Sequence, residues 1–365
     1  MKWLAPIADV VTQNGATARR PAVEHIAIDL GGRESQLCIR GADGKIVKEL
    51  RCRTGALGGL LATMAPSRVV LETCAESFAV AEQARAHGHE VRIVPATLVR
   101  SLGVGARGKK SDVQDARTLS EVSCRIDLPS VHLPSEQSRR LKTVCGMRES
   151  LVRARTLLVN SVRGFLRTQL RRVKGRYNGQ FTTRVRDRYT ELLRAIPADI
   201  ERQLVVIDCL STQIHQADRD LALEAKSNAL CRRLMTVPGV GPITALRFVA
   251  AIDDVTRFSD ASRVASYIGL VPGEWSSSDR QQRTGITKAG SPKLRWLLVQ
   301  AAWSALRSKR GQELQDWSRQ VEHRRGSRIA VVALARKLSG IMFAIWRDGS
   351  EYQASRAARA VPAAS

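Results

Sequence analysis

The chain has 365 residues, 44% of them hydrophobic, and its 59 Lys and Arg against 34 Asp and Glu give a formal net charge of +25. That apolar content is enough to bury a core, which excludes a disordered basic tail, and the length suits two or three domains. The charge points to a polyanionic partner, and seven scattered cysteines without a CxxC pair exclude a zinc finger or a disulfide scaffold and read as reduced core thiols.

The N-terminus, MKWLAPIADVV, holds a short apolar run broken by Pro6 and Asp9, and no later apolar run is expected to reach the length of a membrane span. The reading is therefore a soluble cytoplasmic protein with no membrane partner, its ends 1–22 and 351–365 poorly ordered.

The first domain is expected over 23–130. HIAIDL (25–30) ends near Asp29 and Gly31-Gly32. SQLCIR and, after the Asp43-Gly44 turn, KIVKELRC complete a three-stranded antiparallel meander. A helical stretch, the strand SRVVLETC (67–74) carrying Glu72, a helix through His87 and the strand EVRIVPA (90–96) imply parallel pairing by right-handed crossovers. KKSDVQDARTLSEV then opens a helix, with Ser111 or Asp112 as cap, that sets Asp112 and Asp115 one turn apart on one face.

Taken singly, each acid has a plain reading: a turn residue at Asp29, a strand-end charge at Glu72, and a favourable helix-dipole pair at Asp112 and Asp115. Their order is that of the ribonuclease H-like fold, in which such carboxylates hold paired metals that polarise a phosphate. Lys109 and Lys110 beside them are candidate phosphate contacts or a solvated pair.

Within the middle, 136–230, the stretch from Arg139 to Arg188 carries about half of the net charge. Between Arg139 and Arg188 stand fifteen Lys and Arg and two acids, Glu149 and Asp187. The apolar stripe Val144, Met147, Leu151, Ala154, Leu158, Val162, Phe165 and a second one, Ile200, Leu204, Ile207, Leu210, Ile214, Ala217, Leu221, predict two long helices joined near 174–183. The stripes suit packing or dimerisation, and Arg153, Arg163, Arg167, Arg171 and Arg172 are placed to grip phosphates.

In the C-terminal part, 231–350, TVPGVGPITALRFVAAI resembles a helix-hairpin-helix element, with Gly239 and Gly241 in a turn that either meets a DNA phosphate or is merely tight. Ser276-Ser277-Ser278 is expected in a polar loop with Arg280, Arg283 and Lys288, ahead of a helix bearing Lys293 and Arg295. No His lies close by in sequence, so a hydrolase triad is not indicated.

IAIDLGGRESQLCI, VVLETC, KSDVQDARTLS, VPGVGPITA, RFSDASRVASYIGLVP and SSSDRQQRTGITKAGSPKLRWLL occur in the order found in the DEDD transposases of the insertion-sequence 110 family, its 1111 group included, which the chain resembles over nearly its whole length. The resemblance implies a fold of α/β plus α: a ribonuclease H-like (RuvC-like) domain, a helical coiled-coil linker and a mainly helical transposase domain. It implies Mg²⁺ on Asp29, Glu72, Asp112 and Asp115 and a nucleophilic serine, fitted best by Ser277. The family's usual Ser-Ser-Gly is Ser276-Ser277-Ser278 here, which keeps Ser276 as the other choice. Implied partners are element and target DNA, an element-encoded noncoding guide RNA, and further copies of the chain in dimers and tetramers. The rival readings are a metal-dependent, structure-selective endonuclease of Holliday-junction-resolving type, a non-catalytic nucleic-acid-binding protein, and a site-specific invertase of the same family.

Overall fold

The computed structural model describes residues 24–101, 111–173, 180–277 and 280–354. The chain divides into two compact units, one ending at Pro134 and one beginning at Ser135. The ends expected to be poorly ordered, 1–22 and most of 351–365, lie outside the described residues, as do Lys109 and Lys110.

In the first unit β1 (His25–Asp29), β2 (Glu34–Arg40) and β3 (Ile46–Arg53) form the expected antiparallel meander. Helix α1 (Leu57–Ala62) leads to β4 (Arg68–Glu72), parallel to β1, and α2 (Ser77–Ala86) leads to β5 (Glu90–Val94), parallel to β4. The sheet order is β3-β2-β1-β4-β5, followed by α3 (Ala96–Ser101) and α4 (Asp112–Arg125). Alternation drives this layering. Ile26, Ile28, Leu37, Ile39, Val69 and Leu71 pack with Leu57, Leu61 and Val80 from α1 and α2, while Ala27, Val70 and Val94 pack with Leu119 of α4. With both faces covered, β1 and β4 read as nearly continuous apolar runs.

In the second unit α5 (Glu136–Thr168) starts at Ser135, whose side chain accepts from the Ser138 amide. It runs antiparallel to α7 (Ala198–Ser227): Arg148 Nε donates to Asp218 Oδ1 at 2.8 Å, and Arg140 meets Glu224 further along. Two expectations change here. The buried face of α5 is Leu141, Cys145, Val159, Val162 and Leu166, whereas Val144 and Met147 of the expected stripe are exposed. The connection also holds a further helix, α6 (Phe181–Glu191), whose Phe181, Val185 and Tyr189 join Val159, Val162, Leu166, Ile200 and Leu204 in a small core of their own.

Beyond α7 come α8 (Ala229–Leu234), α9 (Pro242–Ile252), α10 (Ala261–Ile268), β6 (Pro272–Ser277), β7 (Arg280–Ile286), α11 (Pro292–Ala305), α12 (Gln312–Arg325) and α13 (Ser327–Asp348). Phe248, Leu298, Leu334 and Phe343 centre their core, and Leu141, Cys145, Leu221 and Ala225 from α5 and α7 belong to the same cluster. The boundary expected near 230 therefore falls inside one packed unit. Contrary to the sequence reading, α13 is long and apolar enough to cross a membrane. Its apolarity is used inward: 61% of that window is buried in the protein.

Candidate active site

Along β1, Ile26 and Ile28 face α1 and α2 while Ala27 faces α4, so His25 and Asp29 share the α4 face. The same count on β4 places Glu72 with Val70 on that face. β1 and β4 pair with Ile28 beside Leu71. Asp29 and Glu72 follow as neighbours at the carboxyl ends of parallel strands about 4.8 Å apart.

The bonds that tie down α4 direct its start, with the helical acids, toward the same end of the sheet. His25 Nδ1 lies 2.8 Å from Ser123 Oγ, and Ser120 Oγ accepts from Arg40 Nε at 2.8 Å. These bonds fasten the later turns of α4 to the start of β1 and the end of β2, and with Leu119 packed beside Ala27 the helix runs back along β1. From that tie β1 advances about 13 Å to Asp29, and α4 retreats about 12 Å to Asp115. Asp115 is buried, Asp29 and Glu72 are half-buried, and Asp112, one turn nearer the helix start, is exposed. Arg117 fastens the same helix to β3 by a fork to Glu49, with both contacts 2.6 Å. That hydrogen bonding holds the Glu49 carboxyl below its ordinary value. Neither the His25–Ser123 tie nor the Arg117–Glu49 fork has a sequence signal, since each pairs residues far apart in the chain.

Among the described residues no group of three or more His, Cys, Asp and Glu stands at metal-binding spacing. Register sets Asp29 and Glu72 at one end of the sheet, and the four acids form no closed ligand set. All their donors are carboxylate oxygens, which suit a hard cation such as Mg²⁺, and that ion ordinarily takes one or two carboxylates and fills its shell with water and substrate phosphate.

The predicted phosphate contacts divide. Arg163, Arg167, Arg171 and Arg172 line one concavity of about 340 Å³ together with Leu166 and Val173. The Arg163 guanidinium rests 5.2 Å over the Phe181 ring and that of Arg171 5.3 Å over Tyr189. Arg153 is exposed on α5, away from the residues lining that concavity.

Other candidates have structural occupations. Lys293 Nζ lies 2.6 Å from Glu149 Oε2, which also accepts from the buried Arg247 at 2.9 Å. Arg295 Nη1 donates to the carbonyls of Ile268 at 2.9 Å and Gly290 at 3.2 Å. It thereby clamps a turn so close-packed that a Cβ on Gly290 would fall 2.0 Å from the Tyr267 carbonyl oxygen. Gly239 has a positive φ of 86°, and a Cβ there would sit 2.1 Å from the Ala301 carbonyl oxygen, so close packing on α11 requires glycine at that position. Gly241 is the N-cap of α9, and Lys288 has a φ of 57° in the turn after β7.

The serines do not lie in the polar loop expected. Ser276 and Ser277 end β6 of a two-stranded ribbon, with Ser277 paired to Arg280, Ser276 to Gln281 and Glu274 to Arg283. The side chains of Ser276, Ser277, Arg280 and Arg283, and all of Ser278, lie outside the described residues.

A family model described as "Transposase IS116/IS110/IS902 family" matches residues 231–317, and a DEDD transposase model of the IS110 type matches residues 26–170. Among similar proteins is the "Transposase for insertion sequence element IS1111A" of Coxiella burnetii, 27% identical over 91% of this chain and 92% of that protein. The "Transposase for insertion sequence element IS1328" of Yersinia enterocolitica is 26% identical over 91% of this chain and 99% of its own length. An IS110 protein of Streptomyces coelicolor is 26% identical over 74% of this chain and 79% of its own.

Proposed function

The chain belongs to the IS110 family of transposases, and on that premise we propose that it moves its own element by cutting and rejoining DNA through a serine ester, with Mg²⁺ held by Asp29, Glu72, Asp112 and Asp115. What supports this reading is the register that sets Asp29 beside Glu72 on one sheet face, together with the tie of α4 to β1 that directs the start of that helix, with Asp115, toward the same end. The sheet order β3-β2-β1-β4-β5 supports a ribonuclease H-like, RuvC-like nuclease.

Bound Mg²⁺ would supply charge neutralisation at the scissile phosphate. Asp29, Glu72 and Asp115, on strand ends and a packed helix face, would hold that ion, with Asp112 exposed at the helix start as a further oxygen donor. Ser277 Oγ attacks phosphorus, an Oγ–P bond forming as the bond from phosphorus to one DNA oxygen breaks. The serine gives up its proton, and the departing oxygen takes one up. Attack by a hydroxyl of the second strand end later breaks the Oγ–P bond and restores Ser277, so no phosphodiester energy is lost.

The surplus of positive charge over 139–188 supports binding of an element-encoded guide RNA as well as DNA. The active assembly is a dimer or tetramer in which the acids of one copy meet the serine of another.

The test is strand cleavage of element-end DNA by the purified protein and the RNA that accompanies it. Asp29→Asn, Glu72→Gln and Asp115→Asn should each abolish Mg²⁺-dependent cutting while leaving DNA affinity in place. Cutting that survives Asp29→Asn would reject the carboxylate site. Cutting that survives Ser277→Ala would favour the hydrolytic endonuclease.

A further inference from the structure

A single side chain fastens both roots of the β6–β7 ribbon. Arg295 Nη1 donates to the carbonyl of Ile268, the last residue of α10, at 2.9 Å and to that of Gly290, between β7 and α11, at 3.2 Å. It also meets the carbonyl of Ala289. The two hydrogens on that nitrogen are thus shared among three acceptors, one on the chain entering the ribbon and two on the chain leaving it.

The backbone around this point is already pressed together. Thr287 N donates to the Val271 carbonyl at 2.9 Å and Lys288 N to that of Gly269 at 3.2 Å. Gly269 has a φ of 79°, and a Cβ there would fall 2.1 Å from the Ala289 carbonyl oxygen, so the two roots leave no room between them. The arm that delivers the guanidinium is fixed as well. Leu294 and Leu298 of α11 belong to the core of this unit, and Lys293, two residues before Arg295, meets Glu149 of α5 at 2.6 Å.

The ribbon turns that fixed root into a lever. Pro272 and Ser277 begin and end β6, and its five steps span about 17 Å. Over such an arm a tilt of about 3° at the root displaces the far end by about 1 Å, and a misplacement of that size costs a reaction about 100-fold.

Resting on the serine reading above, we propose that Arg295 is a positioning residue for Ser277, fixing the tilt of the ribbon through its two roots, and not the phosphate contact that its charge suggests.

The test uses the full-length protein with its accompanying RNA, Mg²⁺ and saturating end-labelled element DNA, and follows adduct formation in a single turnover. The rate constant reports the placement of the serine and the amplitude reports the fraction of folded protein. Titrations of DNA at several salt concentrations report phosphate contacts. Arg295→Lys keeps the charge but replaces the planar fork with one ammonium. It should lower the rate constant about tenfold and Arg295→Ala about 100-fold, each with native amplitude, DNA affinity and salt slope. A lowered amplitude at native rate constant would make Arg295 a purely structural residue and overturn the assignment. Weakened DNA binding with a salt slope smaller by about 1 would make it a phosphate contact and overturn it equally. Native rate constants in both variants overturn it while leaving the serine reading in place, and a native protein that forms no adduct overturns both.

Discussion

His25 on β1 and Ser123 on α4 are joined by a 2.8 Å hydrogen bond between Nδ1 and Oγ, and this tie sets the position of the acids at the far end of both elements. Because α4 runs back from Ser123, its first turn, with Asp115, is directed toward the end of β1 that carries Asp29. Ser123→Ala should lower stability by about 1 kcal/mol in urea denaturation and slow metal-dependent strand cleavage, and Ser123→Thr should restore both. Native cleavage by Ser123→Ala would show that the tie does not position the site.

Glu149 is the acid on which the buried Arg247 and Lys293 converge, joining α5 to α9 and α11. Glu149→Ala leaves a desolvated guanidinium without its carboxylate and should destabilise the protein by about 2–3 kcal/mol, read as a lower urea midpoint at unchanged slope. Glu149→Gln, which keeps a hydrogen-bond acceptor, should lose less.

The Arg117–Glu49 fork predicts an acid sensitivity. Hydrogen bonding to Arg117 lowers the Glu49 carboxyl from its ordinary value of 4.5, so the folded state binds its proton less readily than the unfolded chain does. Stability from this pair is present above pH 4.5 and is lost as pH falls from there through the lower folded-state value. Comparing urea midpoints of native protein and Glu49→Gln from pH 7 to 3 should show the two curves converging toward the acid end. Parallel curves would refute the coupling.

The thiols predict a labelling order. Burial pushes the Cys231 thiol up to about 12 and raises that of Cys145 as well, while Cys209 is exposed. Thiolate is the reacting species, so a disulfide reagent at mild alkaline pH should modify Cys209 in the native protein and reach Cys145 and Cys231 only on unfolding. Early loss of Cys231 would contradict the core described.

The strand ends and the helix start that carry the four acids were legible because they rest on local rules. HIAI and RVVL are apolar runs that end in an acid, and KSDVQDA carries acids at a helix start. Sequence periodicity therefore located the five strands of the first unit and the start of α4. The β6–β7 ribbon was not legible, since SSSDRQQRT is polar throughout and its pairing comes from register between the strands. Helix α6 was hidden because Arg184, Arg186 and Arg188 interleave its apolar positions. The clamp made by Arg295 could not be read at all, because its partners are backbone carbonyls brought together only by folding. The exposed Val144 and Met147 show the limit of an apolar stripe: spacing identified the helix but not which side of it packs.

The most direct measurement is a search for a covalent protein–DNA species. End-labelled element DNA is incubated with the purified protein, its accompanying RNA and Mg²⁺, denatured, digested with protease and mapped by mass spectrometry. The account predicts a labelled adduct on the peptide containing Ser277, absent from Ser277→Ala and from Asp29→Asn. Cut DNA with no adduct, and undiminished cutting by Ser277→Ala, would contradict it.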